Sequence, residues 1–261
     1  MMLHACTPPA PSPVRCLSRR SHRLAQPGRS GAARVPRASS GDALPLATFR
    51  GRYGPWTLTQ ADVNEVLAYR ASLTLLAASF DVAAAASLLP DQVQRTVLDP
   101  ALFLGAASLG SALVLVHMYV APIKRTMQAL WLVGLIGCVG LAATQELPVA
   151  QYVAQTPSAV WAVGPLFAAL TGLCFKEGAC YGSFESVGLF FAVPALLLGK
   201  LAGAPDALEA PLLALVAVLL TVWSARKFSQ EVKDDIGDKS VFDYLALSPE
   251  DQAQREAELG E

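Results

Sequence analysis

The most unusual run of polar side chains in the chain is Cys174-Phe175-Lys176-Glu177-Gly178-Ala179-Cys180-Tyr181-Gly182. It joins two short apolar runs, and short glycine-interrupted segments are where membrane transporters build their binding sites. Lys176 and Glu177 are adjacent, so on a helix they do not face each other, whereas Lys176 shares a face with Cys180 and Glu177 with Tyr181. One reading is a tight turn at the membrane surface, with both charges snorkelling to the headgroups. The other is a semi-buried polar site in which Glu177 binds a cation or proton and Lys176 is its counter-ion. Cys174 and Cys180 are too far apart in sequence for a redox motif and suit apolar packing equally well.

Asp81 is the second residue that could do chemistry. It lies past the midpoint of an apolar run, where a carboxylate costs about 2.5–3.5 kcal/mol on insertion scales. It is therefore expected to face the bundle interior, protonated or paired. His117, Tyr53, Trp56 and Tyr119 read most simply as hydrogen-bonding or anchoring groups at the membrane edge. Neither a Ser/His/Asp set nor a phosphate loop or cofactor motif is present, and the cysteine spacing makes neither a zinc site nor a disulfide framework. No enzyme activity, metal, cofactor or nucleic-acid partner is expected.

The elements that must position these residues are membrane helices. Between Val66 and Ala225 only 14 residues are Asp, Glu, Lys or Arg, and most of them cluster in the gaps between apolar runs. Several runs approach the length of about 20 residues that a bilayer core requires. The fold class is all-α, a polytopic bundle of about six transmembrane helices. The spans are read as Val66–Leu89, Ala101–Val120, Met127–Thr144, Ser158–Phe175, Ser186–Leu201 and Ala210–Ala225. Pro90, Pro100, Pro122, Pro148, Pro157 and Pro211 fall at or beside the breaks, and Pro165 and Pro194 inside spans four and five. Gly105–Gly110 in span two, and Gly134, Gly137 and Gly140 in span three, are small-residue stripes that let backbones approach.

Residues 1–40 belong to another regime, with seven arginines, six serines, six prolines and no acid. No apolar h-region is present, so this is not a secretory signal. An Arg- and Ser-rich, acid-poor leader resembles an organelle transit peptide. The prolines break the amphipathic helix that a mitochondrial leader needs, which favours the chloroplast. This disordered segment is expected to be cleaved near Arg37–Ser40. Its loss removes seven arginines and no acid, taking the net charge from −1 to −8. A polar lead-in follows over residues 41–65, where Thr59 and Asp62 are candidate helix caps. The membrane domain then occupies 66–225 and an acidic tail 226–261. Lys124-Arg125, Lys176, Arg226-Lys227 and the arginines near span one fall on one side, so the positive-inside rule puts both termini in the stroma. The membrane is expected to be the thylakoid or the inner envelope.

From Glu231 onward the tail carries ten acids and three bases. It reads as a solvated face or, in a minority reading, as a stromal element whose Phe242 and Tyr244 dock onto a membrane protein complex. The motif Phe175–Gly182, with Tyr69-Arg70 at the head of span one, resembles an uncharacterised family of integral membrane proteins shared by cyanobacteria and plastids. The resemblance covers about Trp56 to Leu247 and implies a plastid membrane location, with no activity and no site residues. The acidic tail and the scarcity of buried polar groups point to a non-enzymatic assembly or scaffold factor. The alternative is a small solute or ion carrier using Asp81, Lys176 and Glu177, with Cys180 beside them.

Overall fold

A computed structural model of the protein describes residues 46–260. The transit-peptide expectation therefore lies outside the described residues. Two short strands, β1 (Ala47–Arg50) and β2 (Pro55–Leu58), pair antiparallel and give the lead-in a hairpin that the all-α reading did not include. Helix α1 (Gln60–Ala86) starts at Thr59, whose hydroxyl accepts from Asp62 N while the Asp62 carboxylate accepts from Thr59 N at 2.7 Å. This reciprocal box satisfies two donors that the first helical turn leaves orphaned.

Helices α2 (Asp91–Leu115), α3 (Ala121–Thr144), α5 (Val160–Tyr181), α6 (Phe184–Leu201) and α7 (Asp206–Lys227) follow, with the short α4 (Val149–Gln155) between α3 and α5. Among the described residues six helices are long and apolar enough to cross a membrane, as expected. Two boundaries differ in an instructive way. Pro100 lies inside α2 and Pro211 inside α7, because both helices continue through polar turns beyond the apolar run. Helix α5 runs on through Lys176 and Glu177 to Tyr181, where Gly182 adopts a left-handed φ of 62° and stops it. Those two charges stand on a helix rather than in a turn.

The helices close a ring: α1 packs on α2 and α7, α7 on α6, and α6 on α5. Helix α3 bridges α2 and α5 from outside. Trp131 on α3 donates to Ala106 O at 2.7 Å, and Lys124 caps α2 by donating to Val114 O and Val116 O at 2.7 and 2.8 Å.

The acidic tail, read as a solvated face, is helical and partly packed. It forms α8 (Val232–Ile236), α9 (Lys239–Leu245) and α10 (Pro249–Leu259), which fold back onto the hairpin and the start of α1. Of the three, α10 alone has no buried residue. Tyr244 stacks on Tyr53 with ring centroids 3.8 Å apart, and Phe242 packs on Tyr119 at 4.6 Å. Asp238 accepts from Arg52 N at 2.6 Å, and Lys239 pairs with Asp62 at 2.9 Å. Burial alone would raise the Asp238 pKa, yet hydrogen bonds from Arg52 and Ser240 hold it below the ordinary value. Burial lowers the His117 pKa, against the pull of Glu65, and the ring lies edge-on to Phe242. The aromatic residues read as membrane anchors thus hold the tail in place.

The small-residue stripe of α3 divides on inspection. A β-carbon at Gly134 would come within 2.7 Å of Leu166 Cα, and one at Gly137 within 2.7 Å of the Ala162 carbonyl carbon, whereas at Gly140 it would meet nothing within 4 Å. Gly134→Ala and Gly137→Ala should each cost about 1–3 kcal/mol through forced separation of α3 from α5. Gly140→Ala should be neutral or mildly stabilising, as Ala suits a helix better than Gly. Thermal melts of the three purified variants rank them.

Candidate functional site

Glu177, near the C-terminal end of α5, is fully buried, and both of its carboxylate oxygens are occupied. Its Oε1 accepts from Tyr69 OH at 2.9 Å and from Lys176 Nζ at 2.8 Å, and its Oε2 from Lys227 Nζ at 2.8 Å. Lys227, in the last turn of α7, is 1% exposed and reaches on to Asp235 of α8 and to Gln230 Oε1. Asp235 in turn receives Arg70 of α1, through Nε at 2.8 Å and Nη2 at 2.6 Å. Arg70 also donates to Gln230 O and Glu231 O at 3.0 and 3.3 Å. Two carboxylates and three cations are joined in one chain across α1, α5, α7 and α8.

Aromatic rings and carbonyls complete the enclosure. Lys227 Nζ lies 4.6 Å from the Tyr181 ring centroid and 5.6 Å from that of Tyr69, and Lys176 Nζ 4.6 Å from Tyr181. The electron-rich ring faces favour cations there. Tyr181 OH accepts from Lys176 at 3.1 Å and donates to Asp234 O at 2.9 Å. The surplus cation is accommodated by these carbonyls and by the negative ends of α5 and α7. Chemically the cluster is closed. Each Glu177 oxygen already accepts from an ammonium group, and Oε1 from the Tyr69 hydroxyl as well, so the carboxylate is charge-paired within the protein and sealed from a solute cation.

Lys176 and Glu177 meet although they are neighbours in sequence, because the flexible lysine stem curls back at the helix end. Neither charge snorkels. Cys180 is exposed and takes no part in the cluster, and Cys174 is buried in the apolar core. Asp81 lies elsewhere: eleven residues beyond Arg70 on α1, about 16 Å along the axis. Its Oδ2 accepts from Thr221 on α7 at 2.6 Å, and its sheltered Oδ1 has no partner among the described residues. Asp81 and Glu177 therefore do not converge. Sequence reasoning missed Arg70, Lys227 and Asp235 as partners. A signal was available in the tail-side position of Arg70 and Lys227, but nothing linked either to Asp235.

On the other side of the bundle the ring encloses a cavity of about 600 Å³ lined by α1, α2, α4, α5, α6 and α7. Its walls are apolar, with Phe80, Leu102, Phe167 and Leu213 among them, and Lys200 and Glu209 are its charged lining residues among those described. Between this cavity and the ion cluster stands a layer of leucines, one from each surrounding helix: Leu73, Leu113, Leu173, Leu189 and Leu220, each at most 1% exposed. Each sits three or four residues beyond a cavity-lining residue of its helix, namely Leu76, Leu109, Leu170, Val193 and Val216. The order along the bundle is open cavity, leucine layer, ion cluster.

Breaking a buried ion pair by removing one partner typically costs about 3–5 kcal/mol, because the remaining charges are left uncompensated. Glu177→Gln should lose stability on that scale. Adding Lys176→Met should recover part of it, since Lys176 then has lost its carboxylate whereas Lys227 keeps Asp235. Asp81→Asn, which keeps an oxygen for Thr221, should change little. Melting of full-length variants in one detergent gives the ranking, and a Glu177→Gln melt equal to the wild type would contradict the closed cluster.

The model of a protein family described as "Uncharacterized integral membrane protein (DUF2301)" matches residues 111–244, slightly more than half of the chain. The matched span contains Lys176, Glu177, Lys227 and Asp235 and begins after Tyr69 and Arg70. No curated protein and no solved structure matches the chain. With its six apolar helices and more than half of its length matched, the chain belongs to the DUF2301 family of integral membrane proteins.

Proposed function

We propose that this protein is a non-enzymatic carrier of small apolar molecules in a plastid membrane. The observation that carries the reading is the apolar cavity, open on one side and stopped on the other by the leucine layer and the ion cluster. A volume of this size falls within the range of about 300–1,000 Å³ typical of small-molecule sites, which are mostly apolar and few per protein. Here Lys176 and Glu177 belong to the closed end and not to the solute. The assembly-factor reading drew on a free acidic tail, and that tail spends Phe242, Tyr244 and Asp235 on contacts within its own chain.

The plastid placement, thylakoid or inner envelope, is supported by the arginine-rich, acid-free composition of residues 1–40. The stromal placement of both ends is supported by Lys124, Arg125, Lys176, Arg226 and Lys227, which crowd the ends of spans on the tail side. Sequencing the amino terminus of the protein taken from plastids should give a start shortly after Arg37–Ser40. A start at Met1 or Met2 would remove the localisation.

Transport requires the cavity to exchange sides. A single cysteine on its wall, Ala84→Cys in a background with Cys6, Cys16 and Cys180 changed to Ser, reports that exchange, since the native Cys138 and Cys174 are buried. In sealed vesicles a membrane-impermeant maleimide should label it quickly from the face opposite the tail and slowly from the tail face. The slow component should rise several-fold with Tyr69→Phe, which removes one hydrogen bond to Glu177 and leaves the ion pairs. Labelling confined to one face in both backgrounds would mean a static cavity and would end the carrier reading.

A further inference from the structure

We propose that the cavity selects an uncharged amphipath, with an apolar chain inside and a hydroxyl head held between Lys200 and Glu209. The inference rests on the reading of the cavity as a ligand site. Lys200 in the last turn of α6 and Glu209 in the first turn of α7 form a bridge of 2.9 Å, with side chains 16% and 27% exposed. The rest of the wall has little to offer a polar ligand. Ser79 OH donates to Leu75 O and Ser87 OH to Ala84 O, both at 2.7 Å, so their protons are spent on their own helix. Gln155 is the other polar lining residue among those described. Walls of this kind reward an apolar body and penalise an unpaired polar group.

The bridge decides the head. Lys200 carries three donors and Glu209 four acceptor sites, and their mutual bond uses one of each. A hydroxyl accepts from the ammonium and donates to the carboxylate while leaving the bridge neutral. A carboxylate head would compete with Glu209 for Lys200 and leave Glu209 uncompensated. A quaternary ammonium would do the converse and cannot donate at all. In a partly desolvated mouth an unpaired charge is the costly outcome. The preference is therefore for hydroxyl over either charge, and it is set by the balance of the pair rather than by Lys200 alone.

Three probes with one C16 chain and one mid-chain diazirine test this: the alcohol, the carboxylate and the trimethylammonium. Each is incorporated at equal density into lipid nanodiscs holding the full chain, illuminated, and mapped by peptide analysis. Labelling of the cavity wall at Phe80, Leu102 and Phe167 is measured against lipid-facing Phe191. In the wild type the alcohol should exceed each charged probe by about tenfold, equivalent to about 1.4 kcal/mol of head-group discrimination. Glu209→Gln should move the carboxylate to first place, and Lys200→Gln the trimethylammonium. Equal labelling by all three probes, or an order unchanged in both variants, would overturn the head-group assignment while leaving the cavity a ligand site. Labelling of Phe191 without the cavity wall, or wall labelling that survives Ala101→Phe, would overturn the cavity reading as well.

Discussion

A carboxylate sealed from water must find its counter-charges within the protein, and Glu177 is such a group. The desolvation penalty for an ion in a protein interior is several kcal/mol even after relaxation. Glu177 can persist there only if Lys176 and Lys227 stay within bonding distance, and Lys227 imports the same requirement for itself. Asp235 then meets Lys227 and needs Arg70. One buried charge thereby specifies how α1, α5 and α7 sit against one another at that end, and it draws α8 into the bundle. Such clusters add little net stability over an apolar core, but they tolerate few alternative arrangements. This one gives the ring of helices a definite closed end.

The tail is ordered as a consequence. Once Asp235 is pinned, Asp238, Lys239, Phe242 and Tyr244 follow within a few residues and meet the hairpin and the top of α1. Of its acids, Asp235 meets Arg70 and Lys227 and Asp238 accepts from backbone donors, while Lys239 of the tail pairs with Asp62 of α1. Below the cluster the leucine layer separates this charged end from the apolar cavity. The two halves of the bundle are thus chemically distinct, polar and locked at one end, apolar and hollow at the other.

The membrane spans were legible in the sequence because a bilayer permits so little else: long apolar runs with charges in the gaps. The capping pair Thr59 and Asp62 was legible for a local reason, a side chain three residues from its acceptor. Lys176 and Glu177 stood out as charges beside apolar runs, but their sealed environment did not, since it depends on residues 50 to 108 positions away. Pro100 misled because proline costs only one helical bond and polar turns can continue a membrane helix past its apolar part. The tail misled because composition reports solubility and says nothing about specific pairing. The cavity had no local signature at all; it is the space left by six helix faces.

Helix α6 is only 18 residues long, against 27 for α1. At 1.5 Å per residue it spans about 27 Å, a few ångströms short of an average hydrocarbon core of about 30 Å. Phe184 at one end is 84% exposed and Lys200 closes the other, so the lipid beside α6 meets an aromatic ring and a cation at a fixed separation. Mismatch with a thicker bilayer is met by local thinning or by snorkelling of flanking groups such as Lys200, at a fraction of a kcal/mol for each ångström. The shortest of the six spans thus acts as a gauge of bilayer thickness, and it gives the protein a physical preference among membranes that does not depend on any targeting segment.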